Sequence, residues 1–223
     1  MGWRFFVTGT DTGVGKTQVS AALLSVMRRR GHQPLAFKPY ETGVATRGLP
    51  ADAVVLQRAA GGHQPLETVN LFRFEVPLAP GIAAKLERRR APFARVLAQF
   101  QRFGRQPLVV EGAGGLHVPL DGTLEVIDAI EAMELPVVVV ARAGLGTLNH
   151  VTLTLDALTR RRAKIAGVVL VQGSAAEDPS IPFNRPALER RLPRVRFLGP
   201  VPFCPTRSAR TRAFERAVEP LVG

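Results

Sequence analysis

Cysteine occurs once in these 223 residues, at Cys204, which excludes an internal disulfide and fits a reducing compartment. Lysine is nearly as scarce. Lys16, Lys38, Lys85 and Lys164 are the only ones among 30 basic residues, and arginine supplies the rest. The four histidines are scattered and offer no metal-ligand spacing. No apolar stretch approaches the ~18 residues of a membrane span; the longest runs, such as PVVVVA from Pro136, are strand-length. The N-terminus has no basic region followed by an apolar h-region, so no secretory signal is expected. Neither an internal repeat nor a low-complexity linker interrupts the chain, and this length readily buries one core. The expectation is a soluble cytoplasmic protein, with residues 1–223 forming a single domain and no membrane partner.

Acidic residues are also few, 18 against 30 basic ones, for a formal net charge of +12. Arginine clusters at Arg28–Arg30, Arg88–Arg90 and Arg160–Arg162. Clustered arginine neutralises phosphates, so a nucleic-acid partner has to be weighed. Two of the clusters, however, close amphipathic helical stretches, where cations complement the partial negative charge of a helix end. The aromatic residues do not interleave with the basic ones as a single-strand-binding surface requires. Solvated helix ends are the preferred reading, and no nucleic-acid partner is expected.

What the chain does have is alternation. Short apolar runs (RFFVT, PLAFK, PLVVE, PVVVVA, IAGVVLV, VRFLG) are separated by stretches with helical spacing, including Thr17–Arg30, Phe93–Phe103, Leu124–Met133 and Asn149–Arg162. Strands that are apolar throughout, rather than alternately, are buried on both faces. The fold class expected is therefore α/β, with a mainly parallel central sheet and helices on both faces. Residues 173–186, with Ser, Asp, Asn and three prolines, read as a loop, and Thr206–Leu221 reads as a final helix. Ligands of such sheets bind at the C-terminal ends of the strands, so the residues after each apolar run carry the functional information.

After the first run comes GTDTGVGKT, Gly9–Thr17, leading into a helix. Glycines let backbone N–H groups cradle phosphates at a helix N-terminus, Lys16 reaches the terminal phosphates, and the Thr17 hydroxyl can ligate Mg2+. This is a P-loop that departs from the strict G-x-x-x-x-G-K-[ST] pattern, which would place glycine where Thr10 stands. The second run ends in Lys38-Pro39-Tyr40-Glu41-Thr42-Gly43. Lys38 points over the same crevice as Lys16, and lysine in a chain that otherwise uses arginine suggests function over surface solvation. The third run ends in Glu111-Gly112-Ala113-Gly114-Gly115, where a carboxylate closing an apolar strand reads as a Walker-B-like metal ligand. Asp52 opens a helical stretch and, taken alone, is a carboxylate favoured by the helix dipole. Oxygens from Thr17, Asp52 and Glu111 suit octahedral Mg2+. After the fourth run, Gly144–His150 opens another helix. Thr147 or Asn149 could cap it, and either a capped loop or an anion site fits.

G-T-D-T-x-V-G-K-T, K-P-x-x-[ST]-G and E-G-A-G-G, in this order, resemble the dethiobiotin synthetases, a P-loop family of biotin biosynthesis. Partition-type ATPases that bind DNA or membrane carry a second lysine early in this loop, where this chain has Asp11. They stand as the alternative reading. Amidotransferases of the same superfamily need a glutaminase with Cys and His, which nothing in this chain supplies. The resemblance implies ATP-dependent carboxylation and ring closure of 7,8-diaminononanoate with CO2, through a carbamate and a carbamic–phosphoric anhydride, to dethiobiotin, ADP and phosphate. It implies Mg2+ as cofactor, ATP as co-substrate and a homodimer. Lys38, Lys16 and Thr12 take the catalytic roles. Nucleotide contacts fall to Gly13, Val14, Gly15, Lys16, Thr17, Gln18, Asp52, Glu111, Gly112, Ala113 and Gly114, and to the turn Pro202-Phe203-Cys204. Thr42 holds substrate, while Gly146, Thr147 and Asn149 receive its carboxylate across the dimer interface. Where the family commonly has Asn-Asp to bond adenine, this chain has Val171-Gln172, so tolerance of other nucleoside triphosphates is expected.

Overall fold

A computed structural model describes residues 3–46 and 48–223. In chain order the elements are β1 (Arg4–Gly9), α1 (Lys16–Arg29), β2 (Leu35–Phe37), β3 (Tyr40–Thr42), α2 (Ala51–Ala60), α3 (Leu66–Val69), β4 (Phe72–Phe74), α4 (Pro80–Leu86), α5 (Phe93–Arg102) and β5 (Leu108–Glu111). There follow β6 (Pro119–Asp121), β7 (Leu124–Glu125), α6 (Val126–Met133), β8 (Val137–Arg142), α7 (Thr147–Arg160), β9 (Ile165–Val171), α8 (Ile181–Arg191), β10 (Phe197–Val201) and α9 (Arg207–Val218). Six strands form one sheet in the order β10-β9-β8-β1-β5-β2, and every pairing in it is parallel.

Successive side chains of a strand point to opposite faces, and both faces of this sheet are covered. Phe6, Val110, Val137, Val139 and Val168 pack into one apolar cluster, while Val7, Val109, Val138, Val140 and Val169 pack into the other. This is why the strands are apolar without alternation. Helix α1 seats Val19, Leu23, Leu24 and Met27 on the second cluster. Fully burying a leucine contributes roughly 1.5–3 kcal/mol, so packing rather than intrinsic propensity anchors α1 behind the phosphate loop.

The arginine clusters at 28–30 and 160–162 lie at the ends of α1 and α7. Arg29 pairs with Glu215 at 2.7 Å, and Arg161 with Asp128 and Glu131. The stretch 173–186 is only partly loop. From Ile181 it is helical, because Pro182 sits in the first turn, where its missing N–H costs nothing. Burial of Asn184 and Leu188 then holds that helix to the domain. Outside the pattern of long apolar runs and helical stretches lie the short helices α3 and α4, a parallel pair β3–β4 and an antiparallel hairpin β6–β7.

Helix α7 begins after Gly146 in a left-handed conformation, with no side-chain cap. Neither Thr147 nor Asn149 caps it. The loop before it is held from a distance instead. Asn184 Nδ2 donates to the carbonyls of Ala143 (2.8 Å) and Gly144 (3.1 Å), and Asp178 accepts from Leu145 N (2.8 Å) and from Ser180. The Ser180 hydroxyl, then the Leu145 N–H, hold the Asp178 carboxyl below its ordinary value of 3.8. A depressed carboxyl contributes stability above that ordinary value and loses it as pH falls through the lower folded one. Asp178→Asn is therefore expected to speed amide exchange across residues 143–148 at neutral pH. The parent protein should do the same only on acidification. Unchanged exchange in the variant would show that the carboxylate does not hold the loop.

Candidate active site

β2, β5 and β1 are adjacent and parallel, so their C-terminal ends lie on one rim, about 4.8 Å apart from strand to strand. Register puts Val7 beside Glu111 and Phe37 beside Val110. Lys38, one residue past β2, is thus level with Glu111 at the end of β5. The phosphate loop folds back over the end of β1. A Cβ on Gly9 would lie 2.7 Å from Asp11 O and 2.8 Å from a Val14 methyl, so the loop's first glycine is required at position 9, and Thr10 is tolerated beyond it. Gly15 takes φ 104° and starts α1.

Lys16 Nζ donates to the carbonyl of Asp11 at 2.9 Å, and burial lowers its pKa to about 8 against the opposing pull of Glu111. The Asp11 side chain accepts from Thr12 N at 2.7 Å and pairs with Arg142 at 3.3 Å. Glu111, only 1% exposed, accepts through Oε1 from Lys38 Nζ at 2.5 Å and from Thr17 Oγ1 at 3.0 Å. Lys38, 5% exposed, also meets Asp52 Oδ2 at 3.0 Å. Burial opposes its charge, but the attraction and hydrogen bonds of Glu111 and Asp52 outweigh it, and Lys38 holds its proton more tightly than an ordinary lysine.

Lys38 is placed by side chains far along the chain. β2 is an edge strand, and the buried Gln64 amide serves it as a substitute partner, accepting from Ala36 N (2.7 Å) and donating to Ala36 O (3.1 Å). Asn70 Nδ2 donates to Lys38 O at 2.8 Å, and Lys38 N donates to Val69 O. Glu41 accepts from the N–H groups of Asp52 and Ala53 at the start of α2. Gln64, Asn70 and Glu41 carry no motif of their own; only Asn70, between Val69 and Leu71, stands out as a polar side chain among apolar neighbours.

A cavity of about 670 Å3 opens on this rim. Of the residues singled out from sequence, Thr12, Gly13, Gly15, Lys16, Thr17, Gln18, Lys38, Thr42, Asp52, Glu111, Ala113 and Gly114 line it. The two lysines therefore face one space. Val14 is buried in the core beneath the loop, and Gly112 lines a small apolar void behind Glu111. Pro202, Phe203 and Cys204, after β10, and Gly146, Thr147 and Asn149, at α7, lie outside the lining. β9 spans the whole apolar run IAGVVLV, so Val171 ends it with a methyl 3.4 Å from where a Cβ on Gly15 would stand. Among the described residues no group of three or more His, Cys, Asp and Glu gathers as a metal site. Thr17 bonds Glu111, Asp52 joins them through Lys38 Nζ, and Glu111 Oε2 is buried without a hydrogen-bond partner. A hard oxygen-ligated cation fits that donor set.

A family profile described as an AAA domain matches residues 4–211. The ATP-dependent dethiobiotin synthetase BioD of Anaeromyxobacter dehalogenans (strain 2CP-C) is 45% identical over 210 residues, 93% of each protein. That of Bacillus subtilis (strain 168) is 35% identical over 202 residues, covering 89% of this chain and 86% of its own. Among solved structures, Cyanthece apo McdA aligns over the full length of both chains with a TM-score of 0.56 at 12% identity, a likeness of fold alone. With a P-loop at the end of β1, a lysine past β2 and a carboxylate closing β5, the chain belongs to the family of ATP-dependent dethiobiotin synthetases, ligases of biotin biosynthesis.

Proposed function

We propose that this chain converts 7,8-diaminononanoate, CO2 and ATP to dethiobiotin, ADP and phosphate in the cavity between Lys16, Lys38 and Glu111. The observation that carries this reading is the convergence of both lysines on one space lined by the phosphate loop. One substrate amine adds to CO2 and loses a proton, giving a carbamate. A carbamate oxygen attacks the γ-phosphorus, and ADP departs. The second amine then attacks the carbonyl carbon of the mixed anhydride, loses its proton and expels phosphate, closing the ureido ring.

Every species after amine capture is anionic, so the protein's contribution is positioning and charge stabilisation. Lys16 and Lys38 flank the carbamate and γ-phosphate, Thr12 hydrogen-bonds the carbamate, and Thr42 holds the substrate. The backbone N–H groups of Gly13, Val14, Gly15, Lys16 and Thr17, with Gln18, cradle the phosphates. Thr17, Asp52 and Glu111 would hold Mg2+, which when bound neutralises charge on the β- and γ-phosphates. Ala113 and Gly114, which line the cavity, give the nucleotide close backbone approach, while Gly112 stands behind them against Phe6 and Val126. Gly146, Thr147 and Asn149, outside this cavity, serve the substrate carboxylate of a second copy in a homodimer. Pro202, Phe203 and Cys204 flank the base beside Val171 and Gln172.

Lys38→Ala is expected to lower turnover by roughly 100-fold or more, since it removes a charge the transition state uses. It should also lower the thermal midpoint, because Glu111 is left as a buried charge without its ammonium partner. Near-normal turnover would remove Lys38 from the reaction. Glu111→Ala should shift the Mg2+ dependence of turnover to higher concentrations, and an unchanged titration would take it out of the ligand set. Turnover with CTP and GTP is expected within about tenfold of that with ATP, since Val171 cannot make the paired hydrogen bonds that discriminate adenine. A strong preference for ATP would show that the base is bound elsewhere.

A further inference from the structure

Helix α2 begins without a cap of its own. Pro50 occupies the N-cap position, and no side chain there bonds back to the helix. The unpaired N–H groups of a first helical turn need acceptors. Here they find them across a turn in the chain: Glu41 Oε1 accepts from Asp52 N at 2.9 Å, and Oε2 accepts from Ala53 N at 3.0 Å. Glu41 is 7% exposed and belongs to β3, the strand that follows Lys38. A carboxylate at a helix N-terminus gains from charge-assisted hydrogen bonds and from the helix dipole together. Its burial is costly on its own: burial raises the Glu41 pKa while the two N–H donors pull it back. A serine or aspartate at the N-cap would satisfy the same groups locally, without tying two segments together.

The residue whose N–H is held is also the one whose side chain reaches the site, Asp52 Oδ2 lying 3.0 Å from Lys38 Nζ. Position therefore passes from Glu41 to the first turn of α2, from there to Asp52, and from Asp52 to Lys38. We propose that Glu41 is a positioning residue for the ligase reaction, fixing the start of α2 so that the Asp52 carboxylate orients the Lys38 ammonium. This rests on the role proposed for Lys38 above. Because Lys38 acts on the transition state, the effect of losing Glu41 at saturating Mg2+, where the share of Asp52 in holding the metal does not enter, falls on kcat more than on the KM for ATP.

The test is a double-mutant cycle of Glu41→Gln with Asp52→Ala, with Lys38→Ala as control. In Glu41→Gln one acceptor becomes a donor facing an N–H. Its kcat is expected to fall about tenfold or more, with a smaller change in the KM for ATP and faster amide exchange at residues 52 and 53. In the Asp52→Ala background the same change should cost less than about twofold, because residues acting through one another are not additive. A full loss in both backgrounds, or parental kcat in the single variant, overturns the proposal. Should the Gln variant fold poorly, Glu41→Asp keeps the charge but shortens the reach. It is expected to show the same kcat loss and faster exchange, and parental values overturn the proposal equally. An active Lys38→Ala protein would sink the reading of the site itself; an inactive one beside a fully active Glu41→Gln protein would sink only the role of Glu41.

Discussion

The Lys38–Glu111 contact is the interaction on which the remainder of the site depends. Both groups are almost fully buried, and removing two charges from water costs several kcal/mol per ion unless the geometry and further hydrogen bonds are good. Here Glu111 also accepts from Thr17, and Lys38 also meets Asp52. The pair thus joins the start of α1, the end of β2, the end of β5 and the start of α2. A protein selected for stability alone would gain by replacing such a cluster with apolar side chains. Such a cluster fits the cavity of an ATP-dependent ligase, where a polyanionic nucleotide needs positive charge.

Around that pair, the structure solves two problems created by placing the second lysine on an edge strand. An edge strand leaves backbone groups unpaired, and the Gln64 amide takes the place of a neighbouring strand at Ala36. Beyond β2 the chain must leave the sheet without losing its aim. Asn70 bonds the Lys38 carbonyl, and β3 pairs with β4 as a small separate ladder. Glu41 then reaches from β3 to α2. These are ordinary polar side chains, each used where backbone partners run out.

Much of this was legible in the amino-acid order. Apolar runs without alternation announced a parallel sheet, and the phosphate loop, Lys38 and Glu111 each followed such a run, which is where the rim had to be. The limits are equally specific. Helix α8 was hidden by Pro182 and Pro186, because proline is a helix breaker only away from the first turn or where packing does not compensate; buried Asn184 and Leu188 supplied that packing. The cap that Thr147 or Asn149 could have supplied is absent, and Asp178 and Asn184, from another loop and helix, hold the preceding turn instead.

Sequence by itself determined which residues stand at the strand ends, since hydrophobic periodicity and glycine placement are local properties, and parallel strands necessarily finish on the same side. Only the tertiary structure decided which of them touch. Lys38 and Glu111 are brought together by β5 lying between β1 and β2, an order no local pattern encodes. Glu41, Gln64 and Asn70 acquire their roles from single hydrogen bonds made across turns. Those bonds depend on side-chain reach and direction at fixed distances, quantities that exist only once the chain has folded.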